Sequence, residues 1–237
     1  MKTIKSFSLL IVLSLMLSSC LLLSLHPYYT KDLIHFEEQL IGKWADTSNG
    51  SWKILGYKDF LLSEAKKSGK KINSQNLNKN ELELWHNAHL FYAVQYKEDP
   101  DSRDTLYHLA VPFKIDDQLF LDITPHQQSS TSKVPAINLY NNHKIDVHAL
   151  AKVDILSNNN ISITWLGDEK FNKLLASDKI KIKYETAGGF ITSKVLTASS
   201  EELVKFLKKY MNSKDKDQWY WNSENAGIEF THNLKRN

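Results

Sequence analysis

In two runs between Tyr107 and Trp165 the apolar residues recur at every second position, and that period admits few architectures. Tyr107, Leu109, Val111, Phe113 and Ile115 alternate with other residues, Asp116-Asp117 interrupts, and Leu119, Leu121 and Ile123 alternate again. A second run holds Val147, Ala149, Ala151, Val153 and Ile155, pauses at Ser157-Asn158-Asn159-Asn160, and returns through Ile161, Ile163 and Trp165. Period two is that of a half-buried strand, and Asp and Asn accept the positive φ of tight turns, so the spacing predicts two antiparallel hairpins. Pro112 has no amide hydrogen to give a ladder, which predicts an edge or a bulge at that position. His89 to Lys97 is rich in aromatics and reads as a neighbouring strand. Ile180, Ile182 and Tyr184 alternate with Lys179, Lys181 and Lys183 and read as a strand with a wet, basic face. The expected class is mainly β, with two or so helices. Its centre is an antiparallel sheet of about eight strands, strongly curved or closed like a barrel.

A C-terminal helix is expected to pack on that sheet. Ser199 and Glu202 have the spacing of a capping box, and Leu203, Phe206, Leu207, Tyr210 and Met211 fall on one helical face. Glu201 and Glu202 at its start and Lys208 and Lys209 at its end match the helix dipole. Asp168 caps a shorter helix holding Phe171, Leu174 and Leu175. From Lys58 to Asn80 the pattern breaks into lysines and asparagines and reads as an insertion or long loop with room for one helical turn. Thr124 to Lys144 is a long polar connection, and the tail carries Trp219-Tyr220-Trp221, expected to pack back on the domain.

The N-terminus has a different logic. Lys2 and Lys5 precede an apolar run from Phe7 to Leu17, and Ser18-Ser19 precede Cys20, the one cysteine of the chain. A basic start, an apolar middle and small residues at the end make a secretory signal. Leu17-Ser18-Ser19-Cys20 resembles the lipobox of bacterial lipoproteins. That resemblance implies a diacylglyceryl group on the Cys20 thiol, cleavage before it, and acylation of the new amine. The expected organisation is a signal peptide at 1–19, a short membrane-proximal segment at 20–38 and a single β-rich domain at 39–237. Removing Lys2 and Lys5 from 30 basic residues leaves 28 against 27 acidic ones. A formal charge of +1 gives no electrostatic footprint for nucleic acid.

Gly42-Lys43-Trp44 stands near the start of the mature chain. A Gly-x-Trp opening a first strand resembles the calycin group, the lipocalins and their relatives. There the tryptophan plugs one barrel end and an arginine late in the barrel covers it. The arginines here are Arg103 and Arg236, and neither falls in a strand read from the pattern. The lipobox, the Pro27-Tyr28-Tyr29-Thr30 segment, Phe120-Leu121-Asp122-Ile123 and the stretch from Leu196 to Phe206 also resemble a family of Gram-negative bacterial lipoproteins of no assigned activity. This kinship implies a location in the cell envelope and a β-rich fold.

Chemistry-bearing patterns are sparse. His86 and His89 would share a site only on a helix. Asp146 and His148 would share a strand face, as ligands or as an acid–base couple. His126 and His143 fall in loops, and no spacing matches a zinc signature. Neither a Gly-x-Ser-x-Gly elbow nor a phosphate loop is present. The reading therefore names no catalytic residue, no metal ligand and no cofactor, and assigns Cys20 as the lipid attachment site. Trp44, Trp52, Trp85, Tyr92, Tyr96 and Trp165 sit where strands could turn them inward. Of these, Trp85 and Trp165 are the candidate ligand-binding residues. The expected function is a membrane-anchored, non-catalytic binding module for a small or apolar ligand, on the outer membrane facing the periplasm. The alternatives are a structural or assembly lipoprotein that docks an envelope protein partner, and an envelope hydrolase.

Overall fold

Both alternating runs form hairpins, and the hairpins lie side by side in a closed ring. The computed structural model describes residues 21–47, 50–69, 72, 75, 77–101, 105–126, 146–178, 180–188, 192–211 and 231–237. In chain order the strands and helices begin with β1 (Leu23–Ser24), β2 (Gly42–Asp46), β3 (Ser51–Gly56), α1 (Tyr57–Lys67) and α2 (Lys79–Asn87). They continue with β4 (Tyr92–Lys97), β5 (Leu106–Ile115), β6 (Gln118–Pro125), β7 (His148–Ser157) and β8 (Asn160–Trp165). The last are α3 (Asp168–Ala176), β9 (Tyr184–Gly188), β10 (Thr192–Leu196), α4 (Ser200–Met211) and β11 (Thr231–Arg236).

Eight strands in the order β6-β5-β4-β3-β2-β11-β8-β7 make an antiparallel barrel, closed by the β6–β7 pairing of Leu119 to Ile123 with Val153 to Ala149. Closure removes the free edges that an open sheet would offer to other chains. At one end β7 also pairs with β1, which runs parallel to β10, and β9 follows as the outermost strand. Pro112 is tolerated because β5 pairs with β4 only as far as Ala110, opposite Tyr92. Beyond that point nothing requires its missing amide hydrogen, and its carbonyl accepts the His35 N–H at 3.0 Å.

Alternation sorts each strand into two faces. The inward face joins Trp44, Trp52, Ile54, Tyr92, Val94, Ala110, Leu119, Leu121, Ile123, Ala151, Val153, Ile161, Ile163 and Leu234 into one buried cluster. The outward faces are covered as well. Phe113, Ile115, Phe120 and Leu150 pack under Phe171 and Leu174 of α3 and Leu203 and Leu207 of α4. Ala93 and Val111 pack under Tyr57 and Phe60 of α1. The α4 capping box is made as expected, with Ser199 N–H donating to Glu202 at 2.9 Å and Glu202 N–H to the Ser199 hydroxyl at 3.3 Å.

Four expectations need correction. The 58–80 stretch is not a long loop, because α1 fills most of its first half and α2 begins at Lys79. Asn78 and Glu81 form a reciprocal capping box, and Tyr57 and Phe60 anchor α1 by burial. The strand expected from Ile180 begins only at Tyr184. The β-rich domain begins before residue 39, since Leu22 and Tyr28 are fully buried and Leu23-Ser24 is a sheet strand. The polar C-terminus contains a barrel strand, β11, which pairs with both β2 and β8. Trp219-Tyr220-Trp221 lies outside the described residues. Among the described residues no helix is long and apolar enough to cross a membrane.

Candidate functional site

One barrel end is shut by a clamp that the Gly-x-Trp tripeptide makes possible. Gly42 and Trp44 are two apart on β2 and share its inward face. Arg236 lies opposite Trp44 on β11, with its guanidinium carbon 4.2 Å from the ring centroid. Its Nη1 donates to the Ile41 carbonyl at 2.8 Å, its Nη2 to Gln39 at 2.6 Å and its Nε to Asn158 at 3.1 Å. A Cβ at residue 42 would stand 2.5 Å from that Nη1, and φ there is +155°. Only glycine leaves the guanidinium room to reach the ring. The Trp44 indole N–H donates to Leu40 at 3.0 Å, and the Tyr92 hydroxyl donates to the Glu37 carbonyl at 2.8 Å while accepting the Glu37 N–H at 2.7 Å. Residues 36–41 are thereby sealed over the barrel end. Burial pushes the Tyr92 hydroxyl pKa up, so that oxygen stays protonated as the bonding pattern requires.

Arg236 therefore lies in a late barrel strand and covers Trp44, contrary to the reading that placed no arginine in such a strand. Six residues with a single apolar member, Leu234, carry too little period-two signal to be read as a strand.

Toward the other end the interior becomes polar and aromatic. Asp46 has a buried carboxylate that accepts the Gly50 N–H at 2.6 Å and the Trp52 indole N–H at 3.0 Å. His232 Nδ1 stands 3.4 Å from the same carboxylate and has no hydrogen-bond partner among the described residues. The His232 ring lies 5.1 Å from Trp52, and Tyr96 lies 4.8 Å from Trp52. Neither Asp46 nor His232 was singled out by sequence reasoning. The Asp46-to-Gly50 spacing of a side-chain-closed turn was the available signal for the first.

The candidate residues separate. Trp165 is on β8, faces inward, is half-buried and packs against the barrel core. Trp85 is on α2, outside the barrel, with the Lys58 ammonium 5.3 Å from its ring centroid, so it does not line the interior. His86 and His89 are both exposed, and His89 Nδ1 is 3.0 Å from the His86 carbonyl. Asp146 is exposed, and the carboxylate at His148 is that of Asp122, with Nδ1 to Oδ1 at 2.6 Å. The other Asp122 oxygen accepts the Tyr28 N–H at 2.7 Å. Burial pushes the Asp122 carboxyl up, against the pull of His148 and the Tyr28 amide. His126 is wedged edge-on against Tyr57 and Phe60, and desolvation there lowers its pKa. His143 lies outside the described residues.

Ser24 is directly opposite His148 in the β1–β7 pair, which places Ser, His and Asp on one face. That composition suits nucleophilic catalysis, but the geometry does not. Ser24 is fully buried, its hydroxyl donates to the Leu196 carbonyl at 3.4 Å, and it accepts the His26 N–H at 3.1 Å. Among the described residues no group of three or more His, Cys, Asp or Glu could hold a metal ion.

A cleft of about 690 Å³ lies by the β5–β6 and β7–β8 turns, with Glu37, Lys114, Leu119, Lys152, Val153 and Asp154 in its wall. Its charges are of both signs, and Lys152 is already held by Asp154 at 2.7 Å. Compared with known protein families, with curated proteins and with solved structures, the chain finds no match in any of the three.

Proposed function

We propose that the chain is a lipid-anchored protein of the bacterial envelope whose barrel is a filled scaffold that docks another envelope component. Acylated Cys20 holds it to the outer membrane, facing the periplasm. The observation that carries the docking role is the interior. An eight-stranded barrel is just wide enough to be filled by its own side chains or to hold one small ligand. Here Trp44 and Tyr92 are fully buried and Trp52 nearly so, and Leu40 adds a plug from outside the strands. Aromatic surface that a ligand cup would offer is spent on packing. The Gly42, Trp44 and Arg236 arrangement supports the calycin resemblance as kinship of architecture, and activity does not follow from architecture. The hydrolase alternative loses support because Ser24 is buried and its hydroxyl is engaged.

The anchor is tested by replacing Cys20 with alanine and fractionating the cells. Membrane association and acyl labelling are both lost if the reading is right, and their survival removes it. Protease shaving of intact cells decides which side the domain faces. For the docking role, residues 21–237 are titrated with fatty acids, envelope lipids and glycans while tryptophan fluorescence is followed. The expected result is no saturable change, together with a discrete protein adduct on cross-linking in cells. A saturable change that disappears in a folded Trp165→Ala variant would overturn docking in favour of a ligand cup. The cleft by the β5–β6 and β7–β8 turns is the specific reason to keep small ligands in that titration, since its volume falls in the range of small-molecule sites.

A further inference from the structure

The chain enters the fold almost at once after Cys20. The Leu22 amide donates to the Leu166 carbonyl at 2.8 Å, and Leu22 is fully buried beneath the outer face of the barrel. Leu21 is already bridged to Gly167, and Leu23-Ser24 is held between β7 and β10. Two residues of extended chain span at most about 7 Å. The polar layer on each side of a bilayer is about 5–8 Å thick. A domain tethered through Cys20 therefore has no room to stand away from the headgroups.

The surface presented at that point is apolar. Ser24 and Leu22 alternate inward, both fully buried, so Leu21, Leu23 and Leu25 occupy the opposite side of the segment. Leu25 is 40% exposed, Leu21 and Leu23 are half-buried, and half-buried Val195 on β10 pairs with Leu23. We propose that this leucine face, with Val195, is a membrane-contact surface that rests in the headgroup layer of the bilayer and fixes the orientation of the barrel. The occupant is a lipid surface because the length of chain between the acylated residue and the first buried one leaves nothing else room to intervene. This inference rests on the lipid-anchor reading, and the following experiment separates the two.

The full-length lipoprotein is purified from membranes with one added thiol, Leu25→Cys in one sample and Leu156→Cys in another. Both residues are exposed, Leu156 at 65%, so neither substitution strips the core. Position 156 lies eight residues along β7 from His148, the partner of Ser24, which is about 26 Å of strand. Each thiol is labelled with a nitrobenzoxadiazole maleimide, and the protein is reconstituted into phosphatidylethanolamine–phosphatidylglycerol vesicles carrying headgroup spin-labelled lipid. Mass spectrometry reads the acylation of Cys20, and the protein without an added thiol must take up no label. The expected result is at least threefold stronger quenching at position 25 than at position 156. Equal quenching at the two positions in acylated protein overturns the contact surface and leaves the anchor standing. An unacylated, labelled Cys20 overturns both. A Leu23→Cys sample guards against a local effect at position 25 and must be quenched as strongly.

Discussion

Replacing Arg236 with alanine removes three donors and a cation from the sealed barrel end, and the cost can be worked out from their surroundings. The guanidinium carbon is 4.2 Å from the Trp44 ring centroid, and Trp44 is fully buried, so the cation–π contact should contribute about 1 kcal/mol. The Nη1 bond to Ile41 is partly buried and charge-assisted, which places it at about 1.5–2 kcal/mol net. The bonds to Gln39 and Asn158 are exposed and together add about 0.5 kcal/mol. Arg236→Ala should therefore destabilise the domain by about 3 kcal/mol, a fall in Tm of about 6–12 °C for a domain of this size. Urea unfolding of residues 21–237, followed by tryptophan emission, should show a lower midpoint at unchanged slope. Arg236→Lys keeps the charge but not the planar fork and should recover no more than about 1 kcal/mol. A loss below about 1 kcal/mol, or an Arg236→Lys variant as stable as the parent, would refute the clamp.

Gly42→Ala should cost about 1–3 kcal/mol, since its Cβ meets the guanidinium, and that cost should shrink when Arg236→Ala is already present. Leu207→Ala should lose about 2–5 kcal/mol in the same unfolding assay, because the residue is buried between α4 and the barrel wall. For His126 the folded pKa lies below the ordinary value of 6.5, so the unfolded chain binds the proton more readily. Its contribution is present above pH 6.5 and is lost as pH falls through the folded pKa, and a His126→Phe variant should show a flatter stability profile from pH 7 to pH 5. If the two profiles fall in parallel, the wedge against Tyr57 and Phe60 is not what the proton disturbs.

What the sequence exposed and what it hid follow from one physical rule. Period two is visible only where one face of a strand is continuously apolar. Val111, Phe113 and Ile115 on the outer face of β5 and Leu121, Val153 and Ile163 inside the barrel gave the hairpins away, whereas β11 turns His232, Leu234 and Arg236 inward and looks polar. Trp85 failed in the opposite sense. Glu81-Leu82-Glu83-Leu84-Trp85 alternates like a strand, yet the Asn78–Glu81 capping box makes it helical. The partner of His148 was hidden because Asp122 belongs to another strand, and only the barrel's closure brings the two together. Whether the barrel is hollow or filled depends on how strands distant in sequence are staggered, and no single stretch encodes that.

The last barrel strand in the sequence, β11, sits between β2 and β8 in the ring. A chain leaves the ribosome amino end first, so seven strands can align while β2 and β8 still lack their shared neighbour. Until Thr231 to Arg236 arrive, both display a row of unpaired amides and carbonyls, the template that seeds aggregation. Chain release before Thr231 would thus leave seven barrel strands with two adhesive seams. An insertion placed directly against β11 would burden the strand that fills both, so insertions should be made elsewhere.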